Sequence, residues 1–279
     1  MTDVITRTET LAPEPARALG ALLGVPVPDL TGDGLPLLWH WVYLLDRPAQ
    51  SDLGPDGHPV RGTLPAPPGP GRRRMWAGGR VRTSGPLRCG APATRRTSVL
   101  AVAEKQGRSG LLTFVTIGHE ISQGGAIVIA EEQDIVYREE TAASMPASGP
   151  AAPRAAAGDA GPVVPPGPGE WEIEISPSLL FRFSALTYNA HRIHYDRDYT
   201  RDVEGYPGLL THGPLQALAM AEAARAAGRA GSPSFDYRLV SPLVDFQGLG
   251  VSALTGPDGV TVTAARDRRG RQTASGRMS

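Results

Sequence analysis

The chain has 279 residues, which suits two modest domains better than one, and its 28 Lys plus Arg balance 28 Asp plus Glu. That neutrality leaves no field to draw it to nucleic acid or an anionic membrane, and a small ligand is the expected partner. A lone cysteine, Cys89, excludes a disulfide framework and a thiolate metal cluster and fits a reducing, cytoplasmic setting, as do the acids and prolines where a signal peptide would be apolar. In chain order, LPLLWHWVYLLD from Leu35 sets Trp39 and Trp41 beside His40 and reads as a buried segment or a pocket wall. Pro-rich GTLPAPPGPG from Gly62 is a loop. Arg80 to Leu87, Thr94 to Gln106, Gly110 to Ser122 and Ala126 to Tyr137 are rich in Val, Ile, Leu and Thr and read as strands. EKQGRSG and SQGG between them have hairpin-turn chemistry, so the strands run antiparallel.

Residues 141–170 hold so much Pro, Gly and Ala that they read as a linker between two halves. WEIEIS beyond it is a strand, and Ser176 with Pro177 has the form of a helix cap and first turn. THGPLQALAMAEAARAAG from Thr211 is a helix, opened near Pro214 and closed at Gly228, whose alanines would let a sheet wrap closely. Phe235 to Val240, Leu243 to Gly248, Gly250 to Leu254 and Val260 to Arg266 supply the strands. Each half therefore reads as antiparallel strands, the second with a helix packed on them, an α+β architecture.

Between these elements FRFSALTYNAHRIHYD, from Phe181, crowds Asn189, His191, His194, Tyr195 and Asp196 together. Three readings compete. The run could be a polar loop capping a helix end. His191 and His194, three apart, could share a face and bind a metal, but no third ligand has a recognisable spacing, and HExxH and CxxC are absent. The third reading is acid/base chemistry, since histidine accepts and returns a proton near neutrality while Asn189 can orient water or a carbonyl. VEGYPGLLTHGPLQ, from Val203, places Gly208 and Gly213 around a helix N-terminus, where unpaired N–H groups suit an oxyanion. Its plainer reading is that Gly213 and Pro214 simply start a helix.

FRFSALTYNAHRIHYD and EGYPGLLTHGPLQA together resemble the C-terminal half of the MaoC-like hydratase/dehydratase superfamily, in its branch of type 2 hydroxyacyl-thioester dehydratases and 3-methylfumaryl-CoA hydratases. LPLLWHWVYLLD, RRRMWAGGRV, EKQGRSGLLTFVTIGHEIS and EEQDIVYRE are similar to its N-terminal half. The resemblance implies a double hot-dog fold, two antiparallel sheets each wrapped around a central helix. Its halves would be an N-terminal domain, 1–140, shaping the acyl pocket without chemistry, and a catalytic domain, 171–279. The family's hydratases carry Asp, any residue, Asn, Pro, an aliphatic residue and His, which falls without gaps on Asn189 through His194. His194 thus takes the catalytic histidine position, Asn189 stands where the acid would be, and His191 stands at the motif's Asn. The family's HG pair falls on His212 and Gly213, making Gly213 N–H the implied thioester-carbonyl donor.

The resemblance implies a hydro-lyase that reversibly hydrates an enoyl thioester on CoA or a carrier protein, with no cofactor or metal, and a homodimer as an open assembly. His194 would deprotonate a water held by Asn189 and return the proton to the α-carbon, with His191, His212 and Asp196 as helpers and Tyr195 as packing. The substrate implied is 3-methylfumaryl-CoA, hydrated to citramalyl-CoA. Its free carboxylate calls for Arg182, Arg192 or an N-terminal-half arginine such as Arg73, Arg74 or Arg80. Dehydration of a 3-hydroxyacyl thioester in fatty acid or polyketide metabolism, a non-catalytic thioester-binding protein and a thioesterase are the alternatives. His119 and Glu120 read as ordinary strand-face residues.

Overall fold

The β-rich runs of the first half form four long strands, seen in a computed structural model that describes residues 3–61, 64, 72–107, 110–139, 162–229 and 234–279. These are β2 (Arg72–Thr83), β3 (Pro92–Gly107), β4 (Gly110–Gln123) and β5 (Ala126–Glu139), preceded by β1 (Val4–Thr10) and α1 (Pro13–Leu23). Strands β4 and β5 meet at Gly124 and Gly125, with φ of 61° and 84°. Two adjacent left-handed residues match the right-handed twist of a tight hairpin, a conformation that side chains disfavour. The expected strand at Arg80 to Leu87 is the end of β2, which starts eight residues earlier and stops at Thr83, before Gly85 and Pro86.

In the second half, β6 (Trp171–Ile173) leads to α2 (Pro177–Leu186), α3 (Arg197–Asp202), α4 (Gly213–Ala226) and strands β7 (Ser234–Leu239), β8 (Leu249–Thr255), β9 (Thr261–Arg266) and β10 (Gln272–Met278). Ser176 caps α2 as expected, its Oγ accepting from Leu179 N. Leu243 to Gly248 is not a strand. Gln247 Oε1 accepts from Val244 N and closes a 3-10 turn over Asp245–Gln247, leaving one bridge from Val244 to Leu210. Most of the expected linker lies outside the described residues. Its end runs along the second half, where Glu170 pairs with Arg266.

Antiparallel pairing gives the order β1-β3-β4-β5-β2-β7-β10-β9-β8-β6. The expected pair of sheets is therefore hydrogen-bonded into one ten-stranded sheet, joined where Gly79 of β2 faces Tyr237 of β7. A Cβ on Gly79 would lie 2.5 Å from the Glu132 carbonyl oxygen and 2.7 Å from the Tyr237 hydroxyl, so the seam needs glycine. Helix α4 is wrapped by the second half of the sheet, with Leu215, Leu218 and Met220 fully buried among alanines. Each such side chain contributes about 1.5–3 kcal/mol of burial. The halves also join through α4, where Trp39 Nε1 donates to buried Glu222. No helix among the described residues is long and apolar enough to cross a membrane.

Candidate active site

The histidine run leaves α2 through a reversal fixed by backbone bonds. Tyr188, with φ of 53°, donates to Ala185 O, and Asn189 N donates to Ser184 O at 2.8 Å. That pairing closes a helix C-terminus with a left-handed residue, usually glycine; a side chain there costs ~1–2 kcal/mol. Asn189 Oδ1 then accepts from His191 N at 3.0 Å, which leaves the Asn189 NH2 as its free donor. A 3-10 turn over Arg192–His194 follows, and Leu210 N donates to Ile193 O, drawing the approach to α4 alongside.

That pairing sets the tautomer of His194. Its Nδ1 lies 2.8 Å from Leu210 O, and a carbonyl has no proton to give, so Nδ1 carries the proton and Nε2 keeps its lone pair. Burial pushes the pKa of His194 down to about 4, against the opposing carbonyl bond, so the ring is a neutral base near neutrality. The ring of His212 stacks on it at 3.6 Å and bonds Ser184 Oγ, and burial holds His212 well below the usual histidine range. Gly213 opens α4, so its N–H has no intrahelical acceptor. A Cβ there would lie 2.1 Å from Leu239 Cδ1.

His194, Asn189, His191 and Gly213 line one cavity of about 1740 Å³ between the two halves. Trp41, Trp76, Phe114 and Val136 give it an apolar N-terminal wall. Of the other sequence-derived candidates, Asp196, Arg182, Arg192 and Arg80 lie off the cavity, whereas Arg73, Arg74 and Tyr195 line it. Asp196 caps α3 through Tyr199 N and pairs with Arg192, which also binds Pro55 O and stacks on Tyr199. Arg182 is exposed, and neither it, Arg192 nor Asp196 lines the cavity. Arg80 is held by Glu132 and Asp134, and Arg73 by Glu204. Arg74 lines the cavity and pairs with no carboxylate among the described residues. Its charge helps hold His191 far below the usual range, after burial, His58 and His194.

Two polar groups came from outside the histidine run. The ring of His58 lies 3.9 Å from that of His191, tilted by 39°, with its Nδ1 2.9 Å from Asp56 Oδ2. The potential ligand atoms of Asp56, His58 and His191 lie within 4.8 Å of one another, a set that could hold a metal, which spacing within the run did not reveal. Its only signal was Asp-Gly-His in a turn-rich loop. The second group is a buried network in which Glu131 accepts from Trp41 and Gln133 and contacts His40 Nε2 at 2.8 Å. Burial opposes its ionisation, but the bonds and charge of His40 hold Glu131 at about 2. His40 is thus both buried and part of the cavity wall, and His119, bonded to Thr97, reaches the cavity too.

The architecture is that of double hot-dog proteins. HtdX of Mycobacterium tuberculosis superposes with a TM-score of 0.66 at 15% identity over 99% of each chain. A second protein of that organism, described as a double hotdog fold, gives 0.54 at 17% identity, over 99% of this chain and 94% of its own. Residues 38–245 match the model of hydroxyacyl-thioester dehydratase type 2, and the chain belongs to that family. It is 45% identical over 262 residues to the mesaconyl-C(4)-CoA hydratase of Chloroflexus aurantiacus, covering 90% of this chain and 89% of that protein. The chain is accordingly a hydro-lyase acting on acyl thioesters.

Proposed function

We propose that the protein adds water across the double bond of 3-methylfumaryl-CoA, the mesaconyl-C4 thioester, to give citramalyl-CoA. The observation that carries this is His194, held by Leu210 O as a neutral imidazole beside the open N-terminus of α4. Conjugation to the thioester makes the β-carbon electrophilic. Water, accepting from the Asn189 NH2, gives its proton to His194 Nε2 as its oxygen bonds the β-carbon. The electron pair moves onto the thioester oxygen, where Gly213 N–H and the positive end of the helix stabilise it. As the enolate collapses, the proton gathered on His194 returns to the α-carbon and the ring is neutral again. Asn189 positions the water without exchanging its proton, so His194 is the base. Arg74 is the partner of the substrate's free carboxylate, since Arg182 and Arg192 lie off the cavity.

The same groups run in reverse dehydrate a 3-hydroxyacyl thioester, and the family match favours this as the second reading. A panel of 3-methylfumaryl-, itaconyl-, crotonyl- and longer enoyl-CoA esters, followed by mass for gain of water, tests the assignment. Gain of water on the dicarboxylic ester above the others supports it. Preference for a long monocarboxylic chain favours the second reading, and thiol release without hydration refutes both.

A further inference from the structure

The cavity wall holds a carboxylate–histidine pair, Asp56 and His58, that comes from the N-terminal half. The loop carrying Asp56 and His58 is fixed against the histidine run by backbone. Arg192 N donates to Asp56 O at 2.8 Å, and Arg192 Nη1 donates to Pro55 O at 3.0 Å. Gly57, with φ of +87°, packs so closely that a Cβ would lie 1.8 Å from Ala190 O. Within the loop, His58 N donates to Asp56 Oδ1 at 2.9 Å while Asp56 Oδ2 accepts from the protonated Nδ1. The carboxylate thereby fixes the tautomer and leaves Nε2 as the group free for proton transfer, on a ring lining the cavity. The charge of Arg74 acts on His58 and His191 alike, which disfavours a metal cation between them.

Resting on the hydratase reading above, the geometry points to His58 as a second catalytic residue, with Asp56 as its positioning residue, filling the proton-transfer role that Asn189 cannot perform. In the hydration direction His194 Nε2 takes the proton of water as the C–O bond forms. His194 then passes that proton through cavity water to the Nε2 lone pair of His58, whose charge Asp56 offsets, and His58 gives it to the α-carbon as the enolate collapses. Both rings end neutral, so each turnover consumes one enoyl thioester and one water. The chemistry is then shared between halves, and the N-terminal domain does more than shape the acyl pocket.

The test uses the full chain with the best substrate of the panel. His58→Gln is expected to lower kcat by ~10²–10⁴ with KM and enoyl-CoA affinity within about threefold of the wild type. Imidazole is expected to restore part of the turnover of His58→Ala. Asp56→Asn is expected to lower kcat by about tenfold or more and to move the limb of the kcat–pH profile that His58→Gln abolishes, and Asp56→Glu is expected to recover part of it. The groups facing His58 that enter this profile are Asp56, Arg74 and His191. If His58→Gln does not fold, the profiles of Asp56→Asn and Asp56→Glu decide. Turnover of the His58 variants within about threefold of an active wild type, or a bound transition metal whose removal abolishes activity, overturns the inference and leaves the hydratase reading standing. A wild type that hydrates nothing in the panel overturns both.

Discussion

The stacked histidines make the fold acid-sensitive in a defined window. Unfolded, His194 takes up a proton near its ordinary 6.5; folded, it stays neutral to about 4. Unfolding therefore takes up a proton between those values, and the stability present above pH 6.5 is lost as pH falls through the window. For His194 alone the shift amounts to about 3 kcal/mol, accumulating at about 1.4 kcal/mol per pH unit. Burial lowers His58, His119, His191 and His212 as well, so several protons add to the slope. Glu131, held at about 2 from an ordinary 4.5, adds its own loss mainly below that ordinary value. Guanidinium unfolding between about pH 7 and about pH 5 therefore isolates the histidines. Wild-type stability should fall steadily, and His194→Gln, which keeps a donor for Leu210 O, should show a slope smaller by about one proton. Stability that is flat or rises toward acid, or an unchanged slope in His194→Gln, would refute the assignment of a buried neutral base.

Three further outcomes follow from particular contacts. Gly57→Ala should push the loop off Ala190 O and lower kcat by about 100-fold, whereas Gly90→Ala, at a similar φ but with open space, should keep activity; steady-state kinetics of the two decide. Arg74→Gln should raise KM for 3-methylfumaryl-CoA by about tenfold and leave crotonyl-CoA unchanged, and equal effects on both would remove Arg74 from carboxylate recognition. In kcat/KM–pH profiles the acid limb due to His194 should lie near 4 in the wild type rather than near 6.5, a low limb that follows from burial.

How much was legible depended on whether the signal was local. Hairpin glycines, the Ser176–Pro177 start of α2 and the apolar, alanine-rich α4 are each set by neighbours in sequence, and they read correctly. β10 did not, because Ser275, Gly276 and Arg277 carry little strand propensity; the segment is a strand because it lies between β7 and β9. Leu243 to Gly248 misled because its apolar start resembles a strand, while Gln247 turns its side chain back onto the backbone. Helix α1 was hidden by the composition of PEPARALGALL, although Leu19, Leu22 and Leu23 line its buried face. At the site, Asn189, His191 and His194 came from one run and Gly213 from one helix start. His58 and Asp56 were not visible because their nearness to His191 is created by the loop docking on Ala190 and Arg192, which no spacing encodes. Arg182 and Arg192 were drawn by proximity in sequence, and the fold turns Arg192 into an anchor for that loop.

The central claim is that His194 is the base for hydration of an enoyl thioester. The most direct measurement follows 3-methylfumaryl-CoA with wild type and His194→Gln, recording loss of enone absorbance, gain of water by mass and free thiol together. The account predicts that the wild type consumes the enone, forms the hydrated thioester and releases no thiol, and that His194→Gln is slower by ~10²–10⁴ while still binding the ester. Unchanged turnover in His194→Gln, or free thiol in place of hydrated product, would contradict it.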